Sequence, residues 1–161
     1  MAVDMFLKLG PIKGESKDTK HKDWVDVLAW SWGASQSGTA HMGGGAGAGK
    51  VSVQDLNFTH YVDAASADLL KAICNGKHID KATLEVRKAG GDDALVYIKV
   101  DMENCIVTGL HTGGSGSEDR LTENVTMNFE KFKYEYKEQT EKGGAGTGHD
   151  VKYDIAANKV G

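Results

Sequence analysis

The chain has 161 residues, with 19 Lys and Arg against 23 Asp and Glu, for a net charge of −4. That length fits one domain able to bury about two-thirds of its unfolded surface. The acidic balance argues against nucleic acid or an anionic membrane as partner, since both select a basic footprint.

Val3, Met5, Leu7 and Leu9 alternate with Asp4 and Lys8 in a first strand that Gly10-Pro11 ends, with Phe6 on the polar face. Met1 to Phe6 has neither the basic start nor the apolar stretch of a secretory signal, and no apolar run reaches spanning length. The expectation is synthesis in the cytoplasm, without a Sec address and without membrane insertion. Lys13 to Asp23 mixes both charge signs and reads as a solvated loop. Trp24 to Gly33 forms a second strand with two partly apolar faces: Trp24, Leu28, Trp30 and Trp32 on one, Val25, Val27, Ala29 and Ser31 on the other. Such a strand is covered on both sides or packed against another subunit.

Ala34 to Lys50 holds six of the 21 glycines and almost no large side chain. A loop of that length is functional or disordered, and we read it as a reach toward a neighbouring subunit. A third strand runs from Val51 to Tyr61, after which the period changes. Asp63 or Ser66 caps a helix over residues 64–75, with Leu69, Leu70 and Ile73 as its apolar stripe and Gly76 ending it. This stripe is expected to cover a barrel end or a sheet face.

Ala82, Leu84 and Val86 mark the next strand, which closes at the hairpin-type loop Ala89 to Asp93. A long strand, Ala94 to Leu110, keeps Val96, Ile98, Val100, Met102 and Ile106 on one parity. The glycine-rich turn Gly113 to Ser117 feeds a stretch with Leu121, Val125, Met127 and Phe129 on odd positions. The phase then slips to Phe132, Tyr134 and Tyr136, which predicts a β-bulge near Glu130. Glu138 to Asp150 reads as a flexible loop before a short last strand, Val151 to Ile155. The pattern is mainly β: an antiparallel β-barrel of two packed sheets with one short helix, a single domain over residues 1–161.

The motifs that suggest chemistry are decoys. Gly44 to Lys50 satisfies G-x-x-x-x-G-K, but Val51 stands where a hydroxyl must hold Mg²⁺, and a strand pattern follows where a P-loop needs a helix. His21, His41, His60, His78, His111 and His149 are scattered without ligand spacing, and Cys74 and Cys105 lack CxxC spacing, so both thiols are expected to be free and buried. Ser115 lacks the frame of a nucleophile elbow. Asp92, Asp93, Glu118 and Asp119 are explained by turn formation. No catalytic residue, cofactor or metal is expected.

Several segments of unusual composition agree in order along nearly the whole chain: Ala2 to Phe6, Leu28 to Gly33, Gly43 to Lys50, Val53 to Thr59, Gly76-Lys77-His78 and above all Thr112 to Thr126. Together they resemble the haemolysin-coregulated protein (Hcp) family; the match is weakest over Lys137 to Gly161. The resemblance implies a barrel with one helix that assembles into hexameric rings. Such rings stack into the inner tube of the bacterial type VI secretion system, with sheath, spike and effector proteins as partners, and the tube is exported. It implies no catalysis. A dedicated effector carrier, or chaperone ring, is the alternative role. If one sheet face lines the ring lumen, the small neutral residues Ala29, Ser31, Thr122, Asn124, Thr126 and Asn128, with Gly33, are the cargo-facing candidates. Within the Gly33 to Lys50 loop, Ser37, His41, Met42, Gly45 and Lys50 are the candidates for contact between stacked rings.

Overall fold

The computed structural model describes residues 3–38, 49–88, 94–140 and 144–161. Its elements are β1 (Val3–Leu9), β2 (Val25–Ser31), β3 (Ala34–Ser35), β4 (Ser52–Val53), β5 (Leu56–Tyr61), α1 (Ala65–Asn75), β6 (Ile79–Lys88), β7 (Val96–Thr112), β8 (Thr122–Asn128), β9 (Lys131–Gln139), β10 (Ala145–Asp154) and β11 (Lys159–Val160). Hydrogen-bonded neighbours run β7-β6-β1-β2-β5-β8, and β8 pairs back onto β7, which closes a six-stranded antiparallel barrel. Strands β9, β10 and β11 extend the sheet from the first half of β7. Closure removes the open edges that the barrel strands would otherwise present.

The inward set follows the period-2 pattern: Leu7 and Leu9 on β1, Val25 and Val27 on β2, Leu56 and Phe58 on β5, Leu84 and Val86 on β6, Val125 and Met127 on β8. Each such side chain, removed from water, contributes about 1.5–3 kcal/mol. At one end of the barrel the same inward positions turn polar. His60 is fully buried and faces Glu123 across the β5–β8 ladder, with Nε2 2.8 Å from Glu123 Oε1. Neither atom completes a directed hydrogen bond, so this is a close polar contact out of line. Asp63 approaches His60 Nδ1 at 3.6 Å.

Helix α1 starts where the sequence signals it. The Asp63 carboxylate accepts from the Ala65 N–H at 2.8 Å, and the Ser66 hydroxyl accepts from the Asp63 N–H at 3.0 Å, a reciprocal cap. Gly76 ends the helix with φ +65°, the left-handed conformation that glycine adopts without strain. The buried stripe is Ala65, Leu69 and Ala72, with Ile73 packed beside it. Leu70 is half exposed, not part of the stripe, because the small Ala72 takes the inward place three residues after Leu69.

Several expectations are corrected by register. β2 does not carry two apolar faces: its pairing with β5 jumps between Val27 and Ala29, so Leu28 is an extra residue. Val25 and Val27 point inward before this bulge, whereas Trp30 and Trp32 pack on the core after it. The phase slip around Glu130 is likewise not a bulge within one strand. β8 and β9 are separate strands, both paired with β7, and two residues on each side lie between Glu103↔Lys131 and Ile106↔Asn128. Asn104, with φ +52°, turns β7 at the same level, so both strands change face together. Cys105 and Val107 take the inward positions on β7, and Ile106 turns partly outward. The aromatic residues on either side of the slip share one environment, since Trp32 touches both Phe129 (6.1 Å between centroids) and Phe132 (4.8 Å).

Three further segments differ. The stretch from Val51 to Tyr61 is divided into β4 and β5, and residues 145–150, read as part of a flexible loop, belong to β10 paired with β9. Cys74 is exposed on α1, while Cys105 is buried, its thiol pushed up to about 12 by burial.

The segment from Lys13 to Asp23 is not a solvated loop. It folds over the outer face of β1 and β6, where Phe6 is buried and stacks on His21 at 4.2 Å. His21 sits between Asp18 (2.8 Å) and Glu85 (3.1 Å), and Arg87 reaches Asp18 at 2.6 Å and Asp4 at 3.4 Å. Gly14 permits this packing, because a Cβ there would lie 2.5 Å from the Trp24 carbonyl oxygen. The Arg87 hydrogen bond, reinforced by that of His21, holds the Asp18 carboxyl at about 2, below its ordinary 3.8. A carboxyl lowered on folding contributes stability above about pH 4 and loses it as pH falls through about 2. Asp18→Asn is therefore expected to lower the melting temperature at neutral pH, with the deficit shrinking toward about pH 2. Circular dichroism melts across that range check it; a deficit independent of pH would contradict the ion-pair account.

Candidate functional site

Polar residues between the inward positions of β5 and β8 have nowhere to go but out, and the β2 bulge brings its last residues into phase with them. Ala29 pairs with Thr59, and Thr59 with Asn124, which lies opposite His111. Ser31 pairs with Asn57, Asn57 with Thr126, and Thr126 with Gly109; Tyr61 pairs with Thr122. Cross-strand partners share a face, so all six cargo-facing candidates lie on one outer surface of β2, β5, β8 and the end of β7. Ala29, Ser31, Asn124 and Asn128 are exposed, and Thr122 and Thr126 are half-buried. Gly33, just after this stretch, accepts a backbone hydrogen bond from Gln54 at 2.8 Å.

The face is small, polar and uncharged along these rows. Its side chains bond to each other: Thr59 Oγ1 donates to Asn124 Oδ1 at 2.5 Å, and the Thr108 and Thr126 hydroxyls lie 3.0 Å apart. Asn57, Thr59, Thr108 and His111 complete it and were missed in the sequence. The signal for Asn57 and Thr59 was present, since they alternate with Leu56 and Phe58. Thr108 was missed because the even residues of β7 were read as inward; after the turn at Asn104, Cys105 and Val107 face in and Thr108 faces out.

Charge is concentrated elsewhere. Across β6, β7, β9 and β10, the row Lys81, Glu103, Lys131 and Asp154 alternates in sign, with Lys131 and Asp154 at 3.7 Å. Lys133 and Glu135 pair at 2.6 Å; their hydrogen bond raises the lysine and lowers the carboxyl from ordinary values. At the Tyr61 end of the neutral face, Arg120 stacks on the Tyr61 ring at 3.8 Å beside Glu118 and Asp119. Burial pushes the nearby Asp26 carboxyl up.

The glycine-rich loop leaves the barrel as a ribbon. β3 and β4 pair Ala34 with Val53 and Ser35 with Ser52. Ser37 and Lys50 are exposed at the ribbon's end; His41, Met42 and Gly45 lie outside the described residues. Strand β4 follows Lys50, where a phosphate-binding loop would need a helix. Among the described residues, no helix is long and apolar enough to cross a membrane.

Comparison with known proteins adds to this geometry. Residues 6–136 match the family model described as "Type VI secretion system effector, Hcp". The chain is similar to Protein hcp1 of Pseudomonas aeruginosa, with 54% identity over 153 residues, 95% of this chain and 94% of that one. It superposes on the solved structure of a type six secretion system protein with TM-score 0.93 and 29% identity, covering 99% of this chain and 100% of that one. The crystal structure of Hcp1 from Salmonella typhimurium gives TM-score 0.81 and 41% identity, covering 99% of both chains.

Proposed function

The chain belongs to the Hcp family of type VI secretion proteins, and from that premise we propose that it is a structural subunit of the type VI inner tube. It forms hexameric rings that stack and are exported, with effector proteins held in the ring lumen. Sheath and spike components are its other partners, and the chain passes from the bacterial cytoplasm to the exterior or a target cell by this route. The family is one of secreted type VI proteins rather than of enzymes.

The observation that carries this reading is the uncharged face of β2, β5, β8 and the end of β7. A lumen must hold a passenger and then release it, which asks for a wall of many weak polar contacts with few charged groups. Rows of Ala, Ser, Thr and Asn side chains, partly satisfied by one another, meet that demand. The same face supports a second reading, a carrier ring whose main role is cargo binding. The Thr59–Asn124 bond fixes two side chains in advance and presents a preset surface to a particular passenger.

Ser31 lies exposed at the end of β2. A Ser31→Trp substitution is expected to leave rings intact by light scattering while co-purified effector falls about tenfold, equivalent to about 1.4 kcal/mol. Undiminished retention by such rings would refute the lumen assignment.

The β3–β4 ribbon gives the loop a defined base, and we assign it to contact between stacked rings. Replacing residues 36–51 with Asn-Gly, which suits a two-residue hairpin turn after the Ser35–Ser52 pair, removes the loop and keeps the ribbon. Hexamers should persist, while tubes seen by electron microscopy and secretion into the medium should be lost. Tubes of ordinary length from this variant would sink the stacking role.

A further inference from the structure

Asp55 stands in the turn between β4 and β5, at the margin of the uncharged face. Its carboxylate is bonded into that face. Its Oδ1 accepts from Asn128 Nδ2 at 2.9 Å, and its Oδ2 accepts from Thr108 Oγ1 at 2.9 Å. Thr108 is the extra, unpaired residue of the β7 bulge, and Asn128 is the last residue of β8 before the strand breaks.

Two neutral donors fix the carboxylate without cancelling its charge. No lysine or arginine among the described residues pairs with it. An ionised carboxylate offers about four acceptor positions, so about half remain for a ligand. The Asp55 side chain is half-buried, which limits screening by water.

We propose that Asp55 is a specificity-determining residue of this face, favouring passenger segments that carry Lys or Arg and disfavouring acidic ones. This rests on the reading of the face as the lumen of a ring. There the six copies place one fixed carboxylate per subunit at a single level, at the opposite margin of the neutral rows from Arg120, Glu118 and Asp119. A basic passenger segment gains charge-assisted hydrogen bonds at that level, and the repetition lets one passenger engage several at once. An acidic segment meets like charge that it cannot avoid, which is where discrimination arises.

The test uses purified rings, first shown by light scattering to have hexamer mass. Fluorescence anisotropy then compares a lysine-bearing Gly-Ser peptide with a glutamate-bearing one of equal length. Wild-type rings are expected to favour the lysine peptide, and Asp55→Asn, which keeps one of the two accepting oxygens but loses the charge, to reduce that preference by about threefold or more. Asp150→Asn, which removes an exposed carboxylate on β10, should leave the preference unchanged and so controls for net charge. Asp55→Ser provides a second neutral replacement should the asparagine variant fail to assemble. Equal preference in wild-type, Asp55 and Asp150 variants overturns the assignment while leaving the ring reading intact. Equal losses in the Asp55 and Asp150 variants overturn it too, because net charge would then account for the preference. A wild-type chain of monomer mass overturns the lumen reading and this inference with it.

Discussion

Closure of the barrel depends on β7 pairing twice along one edge. Its first half bonds to β9 and its second half to β8, while β6 occupies the other edge. One straight strand could not do this, because a continuous pleat would send the apolar residues of one half outward. The turn at Asn104, matched by the break between β8 and β9, lets both halves keep their apolar residues on a buried side. Val100 and Met102 before the turn and Cys105 and Val107 after it are all buried.

The same closure separates the surfaces chemically. Strands β6, β7, β9 and β10 carry side chains of alternating sign that neutralise their neighbours. The outer face of β2, β5 and β8 carries hydroxyls, amides and small side chains. Exposed ion pairs of this kind add little stability, so the segregation is not needed to hold the fold. The charged surface keeps the molecule well solvated, and the neutral one is the face we propose for contact with a passenger.

Much of this was legible in the sequence, and the failures share a physical cause. Period-2 alternation identified β1, β6 and the inward residues of β8, and Asp63, Ser66 and Gly76 delimited the helix, because those signals are local. A bulge shifts the phase by one residue without changing composition. Trp30 and Val27 therefore seemed to lie on opposite faces of β2 when the Leu28 bulge places both toward the core. Covering by a distant segment is equally silent. Phe6 looked misplaced because nothing near it reveals that His21 stacks on it. Ala29, Ser31 and the β8 residues could be proposed as candidates from size and neutrality, but their shared face depended on register. Asp55 and Thr108 could not be joined before the turn of β7 at Asn104 was known.

The central claim is that this barrel is one sixth of a closed ring. Multi-angle light scattering of the purified full chain tests it most directly. The account predicts a species of six times the 17.2 kDa chain, about 103 kDa. A single species at the mass of one chain, unchanged as concentration rises, would contradict it.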